Sequence, residues 1–199
     1  MLAASFDGQL TQFAPFLFYL ICFIVMYVET GIMLGFFLPG DSLLFSAGLV
    51  AMSNKSIDIS LLCLVVFLGA FIGDQTGYVI GRKYGRPYIE KRNSPKLNNL
   101  IARADRFYEQ SGWWAVVAAR YFPWIRTFVP PIAGAAKMPY YSFLTANALG
   151  ALLWAVLITL AGYYSATIPW VKSSSYLLAT FFIGASIISS VAGYLRRRR

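Results

Sequence analysis

Long apolar runs, interrupted at a few places by polar or helix-breaking residues, make up most of this chain. Phe13 to Val28 predicts a helix. It is short of the ~20 residues that cross a bilayer unless it extends through Leu34, past Glu29. Gly35, Pro39 and Gly40 then break the apolar pattern, with a carboxylate on each side, Glu29 and Asp41. Helix resumes over 43–52, with Asp41 or Ser42 placed as its N-cap. A polar loop at 53–58 leads to a second run, 59–81, read as a spanning helix. Its glycines Gly69, Gly73 and Gly77 give a smooth face for close helix approach. Residues 82–110 are basic and are read as a cytoplasmic loop followed by an interfacial helix, because Leu97, Leu100, Ile101, Ala104 and Tyr108 recur at helical spacing. Spanning helices are expected again at 140–164 and 174–195.

Between them, 113–137 is long enough to cross a bilayer once, yet Pro123, Pro130, Pro131 and Gly134 forbid a single straight helix. Arg120 and Arg126 stand inside this otherwise apolar stretch. Irregular backbone at membrane depth survives where it is buried in protein or lines a watery cavity. Charged residues there are expensive and usually functional. The stretch is therefore read as a re-entrant hairpin carrying two cations, matched by an acidic re-entrant hairpin within 13–52.

Composition agrees with a membrane protein: 58% of residues are hydrophobic and 13% charged, where a soluble domain carries about 25% charged residues. The net charge of +9 is not spread evenly. Eight of 17 basic residues lie between Arg82 and Arg106, and four form the tail Arg196–Arg199. Such clusters beside apolar spans mark the cytoplasmic side and attract anionic lipids, and they argue against a nucleic-acid partner. Counting back from the tail puts the C-terminus inside. The arginine hairpin then enters from the cytoplasm and the acidic hairpin from the other face. Each is followed by a spanning helix, and the two helices run in opposite directions. This is an all-α integral membrane protein built as an inverted repeat, within a single membrane domain over 1–199. Leu68-Gly-Ala70 recurs as Leu149-Gly-Ala151, and each glycine is followed twelve residues later by another, Gly81 and Gly162.

Cys22 and Cys63 lie in apolar runs and are read as packing residues, not a disulfide or metal pair. Histidine is absent, so proton coupling would rest on carboxylates, and zinc or histidine-assisted catalysis is not expected. No positive n-region precedes the first apolar run, so a cleavable signal peptide is not expected. No metal or cofactor is expected, and no enzymatic activity.

The two hairpins resemble those of the DedA family of bacterial inner-membrane proteins, also called the SNARE-associated or VTT-domain family, over roughly residues 15–165. The resemblance rests on Glu29 with Gly35-Phe-Phe-Leu-Pro-Gly-Asp41, and on Arg120-Tyr-Phe-Pro-Trp-Ile-Arg-Thr127 continuing to Ala133-Gly134. Gly73-Asp74 and Gly77-Tyr78-x-x-Gly81 are also similar to the family's middle helix. The resemblance implies re-entrant hairpins and translocation of undecaprenyl phosphate or another phospholipid, dependent on the proton-motive force. It also implies essential acids at Glu29 and Asp41 and essential arginines at Arg120 and Arg126.

The residues themselves support a phosphate site. Arginine presents a planar fork to phosphate oxygens and stays charged. Free N–H groups at broken helix ends would add to it. Glu29 and Asp41 are expected to pair with Arg120 and Arg126 across the repeat interface and to take up protons when phosphate displaces them. Pro39, Gly40, Pro123, Thr127 and Pro130 are expected around the cavity, and Asp74 either lines it or hydrogen-bonds a neighbouring broken backbone. Trp113, Trp114, Trp154 and Trp170 are read as interfacial or packing residues. The alternatives are an internal staple of four charges, a proton-coupled antiporter for small cations or drugs, a general phospholipid scramblase, a lipid phosphatase and a scaffold. Self-association into a homo-oligomer is left open.

Overall fold

The structure, a computed structural model, describes residues 2–31, 40–92 and 94–167. Pro39, the rest of the acidic hairpin's tip, the span expected at 174–195 and the arginine tail lie outside the described residues. Everything regular in the described residues is helical: α1 (Leu2–Gly31), α2 (Gly40–Ser53), α3 (Ile59–Ile80), α4 (Arg86–Arg92), α5 (Pro95–Ala119), α6 (Pro123–Arg126), α7 (Val129–Ala135), α8 (Tyr140–Ala151) and α9 (Leu157–Ser165). Two π-helical turns, Gly81–Gly85 and Leu152–Val156, join α3 to α4 and α8 to α9. Among the described residues, three helical stretches are long and apolar enough to cross a membrane: Phe13–Gly31, Ile59–Arg92 and Tyr140–Ser165. Large apolar side chains such as Phe16, Leu64 and Leu157 stand exposed along them. An outer surface of this kind suits a hydrocarbon solvent.

The chain divides into two compact units. The first comprises residues 1–26, 39–69 and 155–199; the second, 27–38 and 70–154.

In the first unit α2 packs on α9. Glycine makes that packing close. A Cβ on Gly48 would overlap the Thr159 backbone, and one on Gly162 would overlap the Phe45 backbone. Asp58 caps α3, accepting from the Leu61 amide at 2.8 Å, and its own amide donates to the Tyr19 hydroxyl at 2.7 Å. Cys22 and Cys63 are both free thiols, as their apolar settings imply.

The second unit is organised around the far half of α3. Thr30 donates to the Ala70 carbonyl at 3.1 Å, and a Cβ on Gly31 would come within 2.8 Å of the Gly73 carbonyl oxygen. One turn on, the neighbour changes. Gly77 lies against Pro130 and Pro131, Gly81 against the Pro131 backbone, and Gly134 against the Tyr78 backbone. The glycine face expected on α3 therefore serves two partners, α1 and then α7. The apolar core here joins Tyr78, Tyr108, Val116, Val117, Val129, Ala133, Met138 and Phe143.

Two expectations are corrected. The basic segment is not a loop followed by a short surface helix. The second spanning helix continues through its π turn to Arg92, and the amphipathic segment and the first arm of the arginine hairpin form one continuous helix, α5. The π turn explains the first difference. Its last hydrogen bond runs from the Arg86 amide to the Gly81 carbonyl, five residues back. Pro87 follows directly, so the helix passes a residue that lacks an N–H by shifting register just before it. Ion pairs then fix this end. Arg86 donates to Glu90 at 2.7 Å, to Asp105 at 2.9 Å and to the Ala135 carbonyl at 3.2 Å.

Candidate functional site

The arginine stretch breaks where its prolines dictate. α5 loosens over its last turn, with amide bonds from Arg120, Tyr121 and Phe122 reaching only three residues back. Phe122 is extended (φ −111°, ψ 102°), the conformation favoured before proline. Pro123 opens α6, Thr127 closes it, and Pro130 and Pro131 fall in the first turn of α7. α7 ends in a Schellman motif: the Met138 amide reaches the Ala133 carbonyl at 3.1 Å and the Lys137 amide the Gly134 carbonyl at 3.1 Å. Lys137 occupies its left-handed position, with φ 55°.

These breaks put Arg120 at the C-cap of α5 and Arg126 in the last turn of α6. Free carbonyls and the helix dipole favour a cation at a helix C-terminus. Arg120 is buried, and Arg126 is partly buried, with its side chain 9% exposed. Arg120 forms an ion pair with Asp74 on α3 and also donates to the Asn147 side-chain oxygen on α8. Asn147 is oriented by its own bond to the Phe71 carbonyl at 3.2 Å. Gly150, one turn further along α8, makes room for the arginine stem; a Cβ there would sit 2.9 Å from Arg120 Cδ. Arg126 pairs with Glu29 at 2.5 Å, and the Glu29 side chain is 2% exposed. The Trp154 ring lies beneath both cations, 4.3 Å from the Arg126 guanidinium carbon and 5.8 Å from that of Arg120.

Of the residues singled out in the sequence, Glu29, Arg120, Arg126 and Asp74 are thus brought together within the second unit. Asp41 and Gly40 open α2, in the first unit. The carboxylate facing Arg120 is Asp74. Thr127 is buried at the end of α6, and Pro130 packs on Gly77. α6 and α7 are both short and carry proline in the first turn, so side chains, not free helix N–H groups, supply the donors. Two contributors were passed over in the sequence. Asn147 is a polar side chain in an apolar span, a signal that was present. Trp154 carries no such signal, because tryptophan is common in membrane helices. It is buried, as a packing residue is, and in addition lies under the two cations. Among the described residues no group of three or more His, Cys, Asp or Glu side chains is placed to hold a metal.

Chemically, the arrangement is two guanidinium forks, each neutralised by one carboxylate, sharing an aromatic floor. An anion with several oxygens can take the place of either carboxylate.

The VTT domain profile matches residues 38–164. Protein DedA of Escherichia coli K12 is 37% identical over 183 residues, covering 91% of this chain and 84% of the relative. An uncharacterized membrane protein of Mycobacterium leprae is 35% identical over 181 residues, covering 88% and 81%. One from Mycobacterium tuberculosis H37Rv is 35% identical over 175 residues, covering 87% and 77%. No solved structure gives a significant match.

Proposed function

Because this chain belongs to the VTT-domain, or DedA, family of membrane proteins, we propose that it translocates a phosphate-headed lipid, most simply undecaprenyl phosphate, across the bacterial plasma membrane. Arg120 and Arg126 bind the phosphate. The carboxylates that hold them at rest, Glu29 and Asp74, are released and take up protons; Asp41, in the acidic hairpin, is the third carboxylate of the coupling. The lipid tail stays in the bilayer throughout.

The observation that carries this reading is the two arginines, one buried and one partly buried, each with a carboxylate against it. A buried ion pair is poor stabilising material, since well-packed apolar groups often do as well. Two such pairs side by side, on backbone broken by prolines, support a binding site better than a staple. Arginine, not lysine, at both positions supports an oxyanion that offers pairs of oxygens to a planar fork, as a phosphate does. An antiporter for small cations would place its ligand on the carboxylates, which here are already occupied by the arginines.

The test is transport by the purified chain in vesicles. A fluorescent polyprenyl phosphate should equilibrate across the bilayer faster with the protein than without. Arg120→Ala and Arg126→Ala should abolish the effect, and Glu29→Gln should keep binding but lose its dependence on a pH gradient. Unchanged lipid movement in both arginine variants, or movement of a small cation against a pH gradient with no lipid binding, would overturn the proposal.

A further inference from the structure

We propose that Trp154 is a positioning residue of this site: its indole holds both guanidiniums while their carboxylates are exchanged for the ligand's phosphate. The inference rests on the reading of the site as a phosphate site, and it adds a residue and a physical task to it.

Three observations lead to it. Trp154 is 3% exposed and lies in the middle of the π-helical turn Leu152–Val156; turns of that kind inside α-helices concentrate at functional positions. The ring is within cation–π reach of both arginines, at 4.3 Å and 5.8 Å. Arg120 pairs with Asp74 and Arg126 with Glu29. The ring is a group that both guanidiniums face.

That sharing matters during exchange. A guanidinium whose carboxylate has been displaced keeps a long, flexible stem and would otherwise be free to swing toward another acid. Attraction to the ring comes from the arginine's charge and the ring's quadrupole, not from the anion, so it persists whichever anion occupies the fork. The two forks therefore stay side by side, facing one phosphate, and less ordering is left for the ligand to impose. A merely space-filling side chain would give the site its shape but not this hold.

The experiment uses the full chain in detergent with dodecyl phosphate as the probe. Tryptophan is replaced biosynthetically by its mono-, di- and trifluorinated forms, which weaken the ring's attraction for cations in steps with little change of shape. The chain has five tryptophans, so Trp154→Phe, labelled the same way, is the control. The dissociation constant should rise with each fluorine and stay flat in Trp154→Phe. Trp154→Leu and Trp154→Met should bind about tenfold more weakly, because the ordering of two arginine stems is then left to the ligand, while Trp154→Phe stays within about threefold. Thermal stability recorded on each variant separates this from packing: affinity should follow ring electronics, not melting temperature. A flat fluorination series, or equal affinity in the Leu and Phe variants, would overturn the proposal while leaving the phosphate site intact. Failure of the unsubstituted protein to bind the probe would remove the phosphate reading itself, and this inference with it.

Discussion

Asp74→Asn offers a quantitative check on how Arg120 is held. The Arg120 and Asp74 side chains are only 4% and 6% exposed. The substitution nearly conserves shape but leaves a buried guanidinium with the Asn147 oxygen and the indole ring as its remaining described partners. Removing one partner of a buried ion pair costs about 3–5 kcal/mol, most of it the desolvated charge left behind. Arg120→Leu should cost a similar amount, because it strands Asp74. The double variant strands no charge. Its cost should fall below the sum of the two singles, with a coupling of about 2 kcal/mol or more, at the upper end for contacting residues. The assay is equilibrium unfolding in mixed detergent micelles, followed by helical circular dichroism, on all four proteins of the cycle. Additive single and double effects would refute the reasoning, because they would mean that the two charges do not stabilise one another. Stability of the double variant at or above that of the native chain would be consistent with it. Such a result would mean that the charges are kept for a task other than holding the fold.

Three further outcomes follow from the backbone. Gly81→Ala would drive a Cβ into the Pro131 carbonyl, where no flexible side chain can yield, whereas Gly85→Ala meets only the Ala135 Cβ at 3.6 Å. The first should lower stability by at least about 1–3 kcal/mol and the second should be neutral or gain up to about 1 kcal/mol, read by thermal unfolding in detergent. Lys137→Gly relieves a left-handed φ of 55° and should stabilise by about 1 kcal/mol, visible as a raised melting temperature. Arg86→Gln removes the bridge to Glu90 and Asp105 at a partly exposed site. It should cost at most about 1 kcal/mol and speed amide exchange in α4 and at the end of α7, with less effect at high salt.

The apolar pattern foretold the helices well because membrane crossing constrains it so strongly. Runs of apolar residues long enough to span are rarely anything else. The break in the arginine hairpin was equally visible, since Pro123, Pro130 and Pro131 act through the backbone alone. Gly81 and Gly162, which echo one another in the sequence, each meet the backbone of another helix, Pro131 of α7 in one case and Phe45 of α2 in the other. The partner of Arg120 was not legible. Charge counting offered Glu29 and Asp41, the acids flanking a hairpin, while Asp74 lay within a spanning helix and was left undecided. Which acid meets which arginine depends on how α3 is rotated, and the glycine ladder sets that through contacts that one sequence does not reveal. The π turn before Pro87 was hidden for a similar reason: proline advertises a break, and a register shift is the less common way past it. Trp154 was masked by its own ordinariness among apolar neighbours.

Infrared difference spectroscopy tests most directly whether phosphate takes the place of carboxylate on the arginines. Spectra of the full chain in detergent, with and without dodecyl phosphate, should show the loss of ionised carboxylate bands and the appearance of protonated carboxyl bands. The Glu29→Gln and Asp74→Asn variants should each lose part of that change, and Arg126→Lys should abolish most of it by weakening binding. If the probe bound with native affinity while the carboxylate bands stayed unchanged, the acids would not be the groups that phosphate displaces, and the account would be contradicted.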